Sequence, residues 1–125
     1  MPFLNPPNTF DEDLKRLCKI YDVDIFRGNR MSHLLSRNSN KGIAIKKLIN
    51  KNNNLNVQII GLGDSPNDLP LLINSNYRIV ISGIKGPNNL LLKELKGTEF
   101  CISKKPHGYG WKEDVYKLVT TLLNK

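Results

Sequence analysis

The stretch Gly61-Leu62-Gly63-Asp64-Ser65-Pro66-Asn67-Asp68-Leu69-Pro70 constrains the fold more than any other part of the chain. It follows residues 57–60, Val-Gln-Ile-Ile, a short apolar run that reads as a buried strand. It precedes Leu69, Leu71, Leu72 and Ile73, which supply the apolar side of a helix. Ser65 suits a helix N-cap, and Pro66 suits the first helical position. Asp64 is therefore expected at the carboxyl end of a strand, where open α/β sheets gather their ligands. Two carboxylates, the Asn67 amide and the exposed N–H groups of a helix start converge there. That combination suits a hydrated magnesium ion and a phosphate. An ordinary capped helix start accounts for Ser65-Pro66-Asn67-Asp68 by itself, because an acid in the first turn offsets the macrodipole. It does not account for Asp64, which closes a buried strand and has no evident packing role.

The flanking segments extend the pattern. Residues 1–9 are rich in Pro and Asn and read as an irregular lead-in. Thr9 and Glu12 have capping-box spacing ahead of a helix with Leu14, Leu17, Cys18 and Tyr21 on one face. A hairpin is expected next, with strands at 23–26 and 31–35 and a turn at Gly28-Asn29. Arg30, His33 and Arg37 lie on it. A guanidinium there can grip a carboxylate or phosphate through two hydrogen bonds; an exposed hairpin face explains these residues equally well. Asn40 caps a helix with Ile43, Ile45, Leu48 and Ile49 on its apolar side. Lys41 in the first turn opposes the macrodipole, and a local violation of this kind points to a functional placement. A surface lysine in a lysine-rich chain explains it as well, and its place one helix and one strand before Asp64 tips the reading toward function. An ammonium group there can neutralise a phosphoryl oxygen.

A loop at 52–54 leads to the central strand. Beyond the central motif come a strand at 77–81 and a helix opened by Pro87 that carries Leu90, Leu91 and Leu95. A strand at 100–103 and a flexible turn at Gly108 and Gly110, which could border the site, follow. The final helix has Trp111, Val115, Leu118, Val119, Leu122 and Leu123 on its apolar side, with Trp111 expected as a core anchor. The βαβαβα order from residue 57 onward argues for a parallel sheet with right-handed crossovers.

Gly-Asp-Ser-Pro-Asn-Asp-Leu-Pro resembles the fourth motif of the haloacid dehalogenase superfamily of phosphatases, most closely its mannosyl-3-phosphoglycerate phosphatase branch and related sugar-phosphate enzymes. Asn40-Lys41-Gly42 resembles the third, lysine-bearing motif. Arg27-Gly28-Asn29-Arg30-Met31-Ser32-His33-Leu34-Leu35 is similar to the cap-domain hairpin, Pro2-Phe3-Leu4 to a stretch inside the cap, and His107–Glu113 to the segment before the last helix. The resemblance runs through nearly the whole chain in order. It implies a three-layer Rossmannoid α/β core, present in part over residues 39–125, with a remnant of the α+β cap over 1–38. It implies Mg2+ as cofactor, with Asp64, Asn67 and Asp68 at the metal and Lys41 as a catalytic residue. Arg30 and His33 become the substrate-recognition residues, for a phosphorylated sugar acid.

The superfamily's nucleophile lies in an Asp-x-Asp motif after a buried strand, and Asp22-Val23-Asp24 imitates it. Three observations argue against that assignment. The preceding residues read as an amphipathic helix. Ile25-Phe26 stands where the motif has Gly-Thr. Only residues 25–40 separate Asp24 from Lys41, too few for the strands and the Ser/Thr motif that belong between them. The nucleophile motif is therefore expected to be missing and the chain to be inactive alone. On this reading the chain begins inside the cap, as a truncated product or as half of a split enzyme completed by a second chain. A non-catalytic phosphate- or Mg2+-binding module derived from such an enzyme is the alternative.

Composition excludes little else. The net charge of +8 admits a nucleic-acid partner, but the lysines are scattered and no basic run alternates with aromatics, so nucleic acid is not the expected partner. No apolar run approaches the roughly 20 residues of a membrane helix. No signal peptide is evident, which favours the cytoplasm. Cys18 and Cys101 lack metal-ligand spacing and read as reduced thiols.

Overall fold

The computed structural model describes residues 1–52 and 56–125. Part of the loop expected at 52–54 therefore lies outside the described residues, and Asn52 itself ends a helix. Among the described residues thirteen elements follow in order. The strands are β1 (Pro2–Leu4), β2 (Val23–Arg27), β3 (Met31–Ser36), β4 (Ile60–Gly63), β5 (Tyr77–Ser82) and β6 (Cys101–Pro106). The α-helices are α1 (Asp11–Tyr21), α2 (Lys41–Asn52), α3 (Leu69–Ile73), α4 (Asn89–Glu94) and α5 (His107–Leu123). Short 3-10 turns at Asn8–Phe10 and Pro66–Asp68 lead into α1 and α3.

The strands form two sheets. One is antiparallel in the order β1-β3-β2, with Phe26 opposite His33 and Arg27 opposite Ser32. The other is parallel in the order β4-β5-β6, with Ile60 beside Tyr77 and Ile79 beside Cys101. Parallel strands need crossover helices, and α3 and α4 with their loops supply them. The architecture is thus α/β with a parallel sheet, as the alternating pattern implies.

Several local expectations are corrected. Residues 2–4 are not irregular: Pro2, Phe3 and Leu4 pair with His33, Ser32 and Met31. The Thr9–Glu12 capping box does not form; Phe10 occupies the cap position without a side-chain bond, and Glu12 pairs with Lys15 at 2.9 Å. The central strand starts at Ile60 and not at Val57, and it runs through both glycines. A Cβ on Gly61 would run into Ser75, and one on Gly63 into Asp68, so the glycines let these neighbours lie directly against the strand. Ser65 takes the N-cap backbone position without a side-chain bond, with Pro66 following. Asn88 and not Pro87 caps α4, its Oδ1 accepting from Leu91 N at 3.0 Å. Gly108 and Gly110 belong to the first turn of α5, where Gly110 is buried against Ser103 and the Lys105 carbonyl. Trp111 is 52% exposed and anchors no core. The stripe of α5 that packs on β5 and β6 starts at Gly110, and Trp111 falls at its margin.

The buried cluster is small: Leu72, Val80, Leu91 and Leu95, with Leu69, Leu92 and Phe100 packed against it. It lies between the parallel sheet, α3 and α4. The accessible surface is 9172 Å2, against about 6,800 Å2 for a compact monomer of this mass. The outer edge of β4 has no partner strand among the described residues.

Candidate functional site

The carboxyl ends of parallel strands present outward-pointing carbonyl groups and loops, and Asp64 follows the last residue of β4 there. The chain then turns into Pro66–Asp68, which returns Asp68 to the strand end. Asp68 Oδ2 accepts a hydrogen bond from Asp64 N at 3.1 Å. Asp68 Oδ1 pairs with Lys41 Nζ. Asp68 is buried, at 7% exposure, while Asp64 lies open. A buried carboxylate persists only when its oxygens are paired, and here both are.

Lys41 reaches Asp68 because α2 and α3 meet closely at their starts. A Cβ on Gly42 would run into the Pro70 carbonyl, so hydrogen at that position permits the approach. Asn40 caps α2, its Oδ1 accepting from Ile43 N at 3.0 Å. The Asn-Lys-Gly triplet thus divides into a cap, a cation paired with Asp68 and a close contact.

Partial desolvation at the strand end, above all, holds the Asp64 carboxyl above the usual carboxylate range, and the charge of Asp68 and a hydrogen bond to its side chain add to the effect. The Asp64 backbone N–H and Lys41 oppose it in part. Two carboxylates in contact beside one ammonium group leave a local excess of negative charge, which is the electrostatic demand of a cation site.

The donor set is hard oxygen: the Asp64 carboxylate, the half-buried Asn67 amide and Asp68. Among the described residues no three His, Cys, Asp or Glu side chains form a group able to hold a metal. The set still fits Mg2+, which takes one or two carboxylates and completes its octahedron with water and phosphate oxygens. Asp64 is the group open to direct ligation, since Asp68 is engaged on both oxygens.

Of the residues singled out in the sequence, the structure brings Lys41, Asp64 and Asp68 together, with Asn67 on the connecting turn. Arg30 is exposed at the hairpin turn, and His33 is half-buried in β3. Neither bonds to Asp64, Asp68 or Lys41 among the described residues. Arg37 is engaged elsewhere, with Asp22 at 2.9 Å and Asp24 at 3.9 Å. Asp22 is the left-handed residue that ends α1, and Asp24 lies in β2.

Sequence reasoning missed Asn29. Its Nδ2 donates to Asp64 Oδ2 at 3.2 Å, and its Oδ1 accepts from Asn88 Nδ2 at 2.9 Å. The hairpin turn at Gly28-Asn29 was legible, but nothing local says that it reaches a residue far along the chain. A cleft of about 820 Å3 also separates α1 and β2 from Pro66, Leu69 and Leu90. It does not include Lys41, Asp64 or Asp68. Its charged lining is largely self-paired, Arg27 with Asp11 and Arg37 with Asp24.

Comparison with known proteins bears on the family and the fold. Residues 3–83 match the family model described as haloacid dehalogenase-like hydrolase. A glucosyl-3-phosphoglycerate/mannosyl-3-phosphoglycerate phosphatase of Persephonella marina is 28% identical over 125 residues, covering 97% of this chain and 45% of the relative. The chain thus spans less than half of that relative's length. The sucrose-phosphatase of Synechocystis, solved with sucrose and phosphate, superposes with a TM-score of 0.73 at 20% identity, over 93% of this chain and 50% of that one. A sugar phosphatase of subclass IIB of the superfamily gives a TM-score of 0.54 at 13% identity, over 74% of this chain and 34% of that one.

Proposed function

The chain belongs to the haloacid dehalogenase-like hydrolases, and on that premise we propose that it carries part of the active site of a Mg2+-dependent sugar-phosphate phosphatase. The observation that carries the reading is the arrangement at the end of β4: Lys41 on Asp68, and Asp68 on the Asp64 backbone. In this reading Asp64, Asn67 and Asp68 would hold the ion, Asp64 being the carboxylate open to it. The ion supplies charge neutralisation at the phosphoryl oxygens when bound. Lys41, held by Asp68, presents a second positive charge to a phosphoryl oxygen. Arg30 and His33 face the substrate from the antiparallel sheet. The substrate class is a phosphorylated sugar acid, following the Persephonella relative named for glucosyl- and mannosyl-3-phosphoglycerate. The compartment proposed is the cytoplasm, which suits free Cys18 and Cys101.

Phosphoryl transfer also needs an attacking group in line with phosphorus. We assign that carboxylate to polypeptide beyond these residues, on a strand lying along the open edge of β4. The excess surface and the half-covered stripe of α5 support a missing neighbour. Asp22 and Asp24, bound to Arg37, are not assigned this role. The same facts favour, as the second reading, a non-catalytic phosphate- or Mg2+-binding module. The discriminating experiment measures phosphate release from mannosyl-3-phosphoglycerate with Mg2+. The chain alone is expected to be inactive. Addition of a chain bearing an Asp-x-Asp strand restores release, and Asp64→Asn abolishes the restored activity. Release by the chain alone that vanishes with Asp22→Asn would overturn the assignment of the nucleophile.

A further inference from the structure

Three hydrogen bonds link the start of α4 to Asp64 through the hairpin turn. Leu91 N donates to Asn88 Oδ1 at 3.0 Å. Asn88 Nδ2 donates to Asn29 Oδ1 at 2.9 Å. Asn29 Nδ2 donates to Asp64 Oδ2 at 3.2 Å. The polarity of this chain of bonds follows from its first member. A backbone N–H can only donate, so the Asn88 oxygen faces Leu91 and its NH2 group faces outward. Asn29 must then turn its oxygen to Asn88 and its NH2 to Asp64. The helix start thereby determines which group the turn between β2 and β3 offers to the carboxylate.

We propose that Asn29 and Asn88 are positioning residues for Asp64: a carboxamide relay that fastens the antiparallel sheet to the parallel one and aims the Asp64 carboxylate at its cation. Asn29 occupies Oδ2 and leaves Oδ1 to the ion. The physical basis is the one by which hydrogen bonds behind a metal ligand fix its orientation and raise its affinity. The relay has a second consequence. Asn29 belongs to one sheet and Asp64 to the other, so movement of the hairpin away from the strand end breaks the bond that orients the ligand. Cation binding and apposition of the two sheets therefore favour each other, by the same factor in both directions. This inference rests on the proposed cation site, and its test separates the two.

The test uses the full chain, with Mn2+ as a paramagnetic probe for the Mg2+ site. Its affinity is measured for the unaltered chain and for Asn29→Ala, Asn88→Ser and Asp64→Asn. Serine is as good an N-cap as asparagine, so Asn88→Ser preserves the start of α4 and removes only the NH2 that orients Asn29. In parallel, the distance distribution between the sheets is read from nitroxide labels on Cys101 and on a cysteine introduced by Lys19→Cys in a Cys18→Ser background. Asn29→Ala and Asn88→Ser are each expected to weaken Mn2+ binding by about three- to tenfold, at or below the low end of what loss of a bond behind a ligand costs. Both broaden the distance distribution, and Mn2+ narrows it in the unaltered chain alone. Mn2+ bound through Asp64 with unchanged affinity in Asn29→Ala and Asn88→Ser overturns the relay and leaves the cation site standing. Failure of the unaltered chain to bind Mn2+ counts against the cation site. The relay is then judged on distance alone, and an unchanged distribution in Asn29→Ala overturns it.

Discussion

The two sheets are held by different forces. The parallel sheet and its helices contain all of the buried hydrophobic residues among those described: Leu72, Ile79, Val80, Ile81, Leu91 and Leu95. The antiparallel sheet contains none; its one buried residue is Ser32, whose hydroxyl donates to Asn5 Oδ1 at 2.7 Å. Five of the seven ion pairs among the described residues lie within residues 11–37, on α1, β2 and the end of β3. Burial scales with area and resists salt, whereas exposed ion pairs are screened and individually weak. One region therefore stands on packing. The other stands on strand pairing, exposed charge and its attachment through Asn29.

The sharpest way to break this comparison is truncation in each region. Leu91→Ala removes a side chain with no exposed surface, and a cost of about 2–5 kcal/mol is expected. Leu17→Ala in α1, where Leu17 is 43% exposed, should cost about 0.5 kcal/mol. Urea unfolding followed by fluorescence of Trp111, the sole tryptophan, reports on the parallel-sheet region. Equal midpoint shifts for the two variants would erase the distinction.

A smaller effect tests the charge-held region. Arg37→Ala frees Asp22 and Asp24 together, and about 1 kcal/mol or less is expected, shrinking further in high salt. Hydrogen exchange should quicken in β2 and β3 and stay unchanged in β5. A loss confined to β5 would contradict the assignment.

The smallest effect is expected where the regions meet, because Asp64 lies largely open to solvent. Its carboxyl is held above the usual range, so the folded state binds that proton more tightly than the unfolded chain does. The resulting stabilisation is complete below the ordinary carboxylate pKa and is lost as pH rises through the raised value. Asp64→Asn should therefore raise the melting temperature at neutral pH and leave it unchanged at about pH 3, where both carboxyl forms are neutral. A variant less stable than the unaltered chain at neutral pH would show that Asp64 is stabilised in its charged form.

Much of the fold was legible because its signals are local. The hairpin turn at Gly28-Asn29, the cap at Asn40 and the run from Gly61 to Asp68 depend on neighbours a few residues away. The errors occurred where a distant contact overrode a local preference. The strand expected at 57–60 lies instead at Ile60–Gly63, since Ser75 and Asp68 occupy the space of the side chains that Gly61 and Gly63 lack. Gly108 and Gly110 read as a flexible turn but belong to α5, where Gly110 lies directly against Ser103. Trp111 read as a core anchor on the apolar side of the final helix, yet the packed stripe of α5 leaves it 52% exposed.

The sequence by itself determined the element order from α1 onward, the α/β class and the residue types of the candidate site, because periodicity, capping and motif spacing are written within short windows. It also carried Asp64 to the end of a strand. Only the tertiary structure decided which groups meet there. Lys41 reaches Asp68 because Gly42 lets two helix starts touch. Asn29 reaches Asp64 because an antiparallel hairpin comes to rest on the end of a parallel sheet, with Asn88 setting its orientation. Contacts between residues so far apart in the chain depend on how packed elements lie against one another, and no short window of sequence encodes that placement.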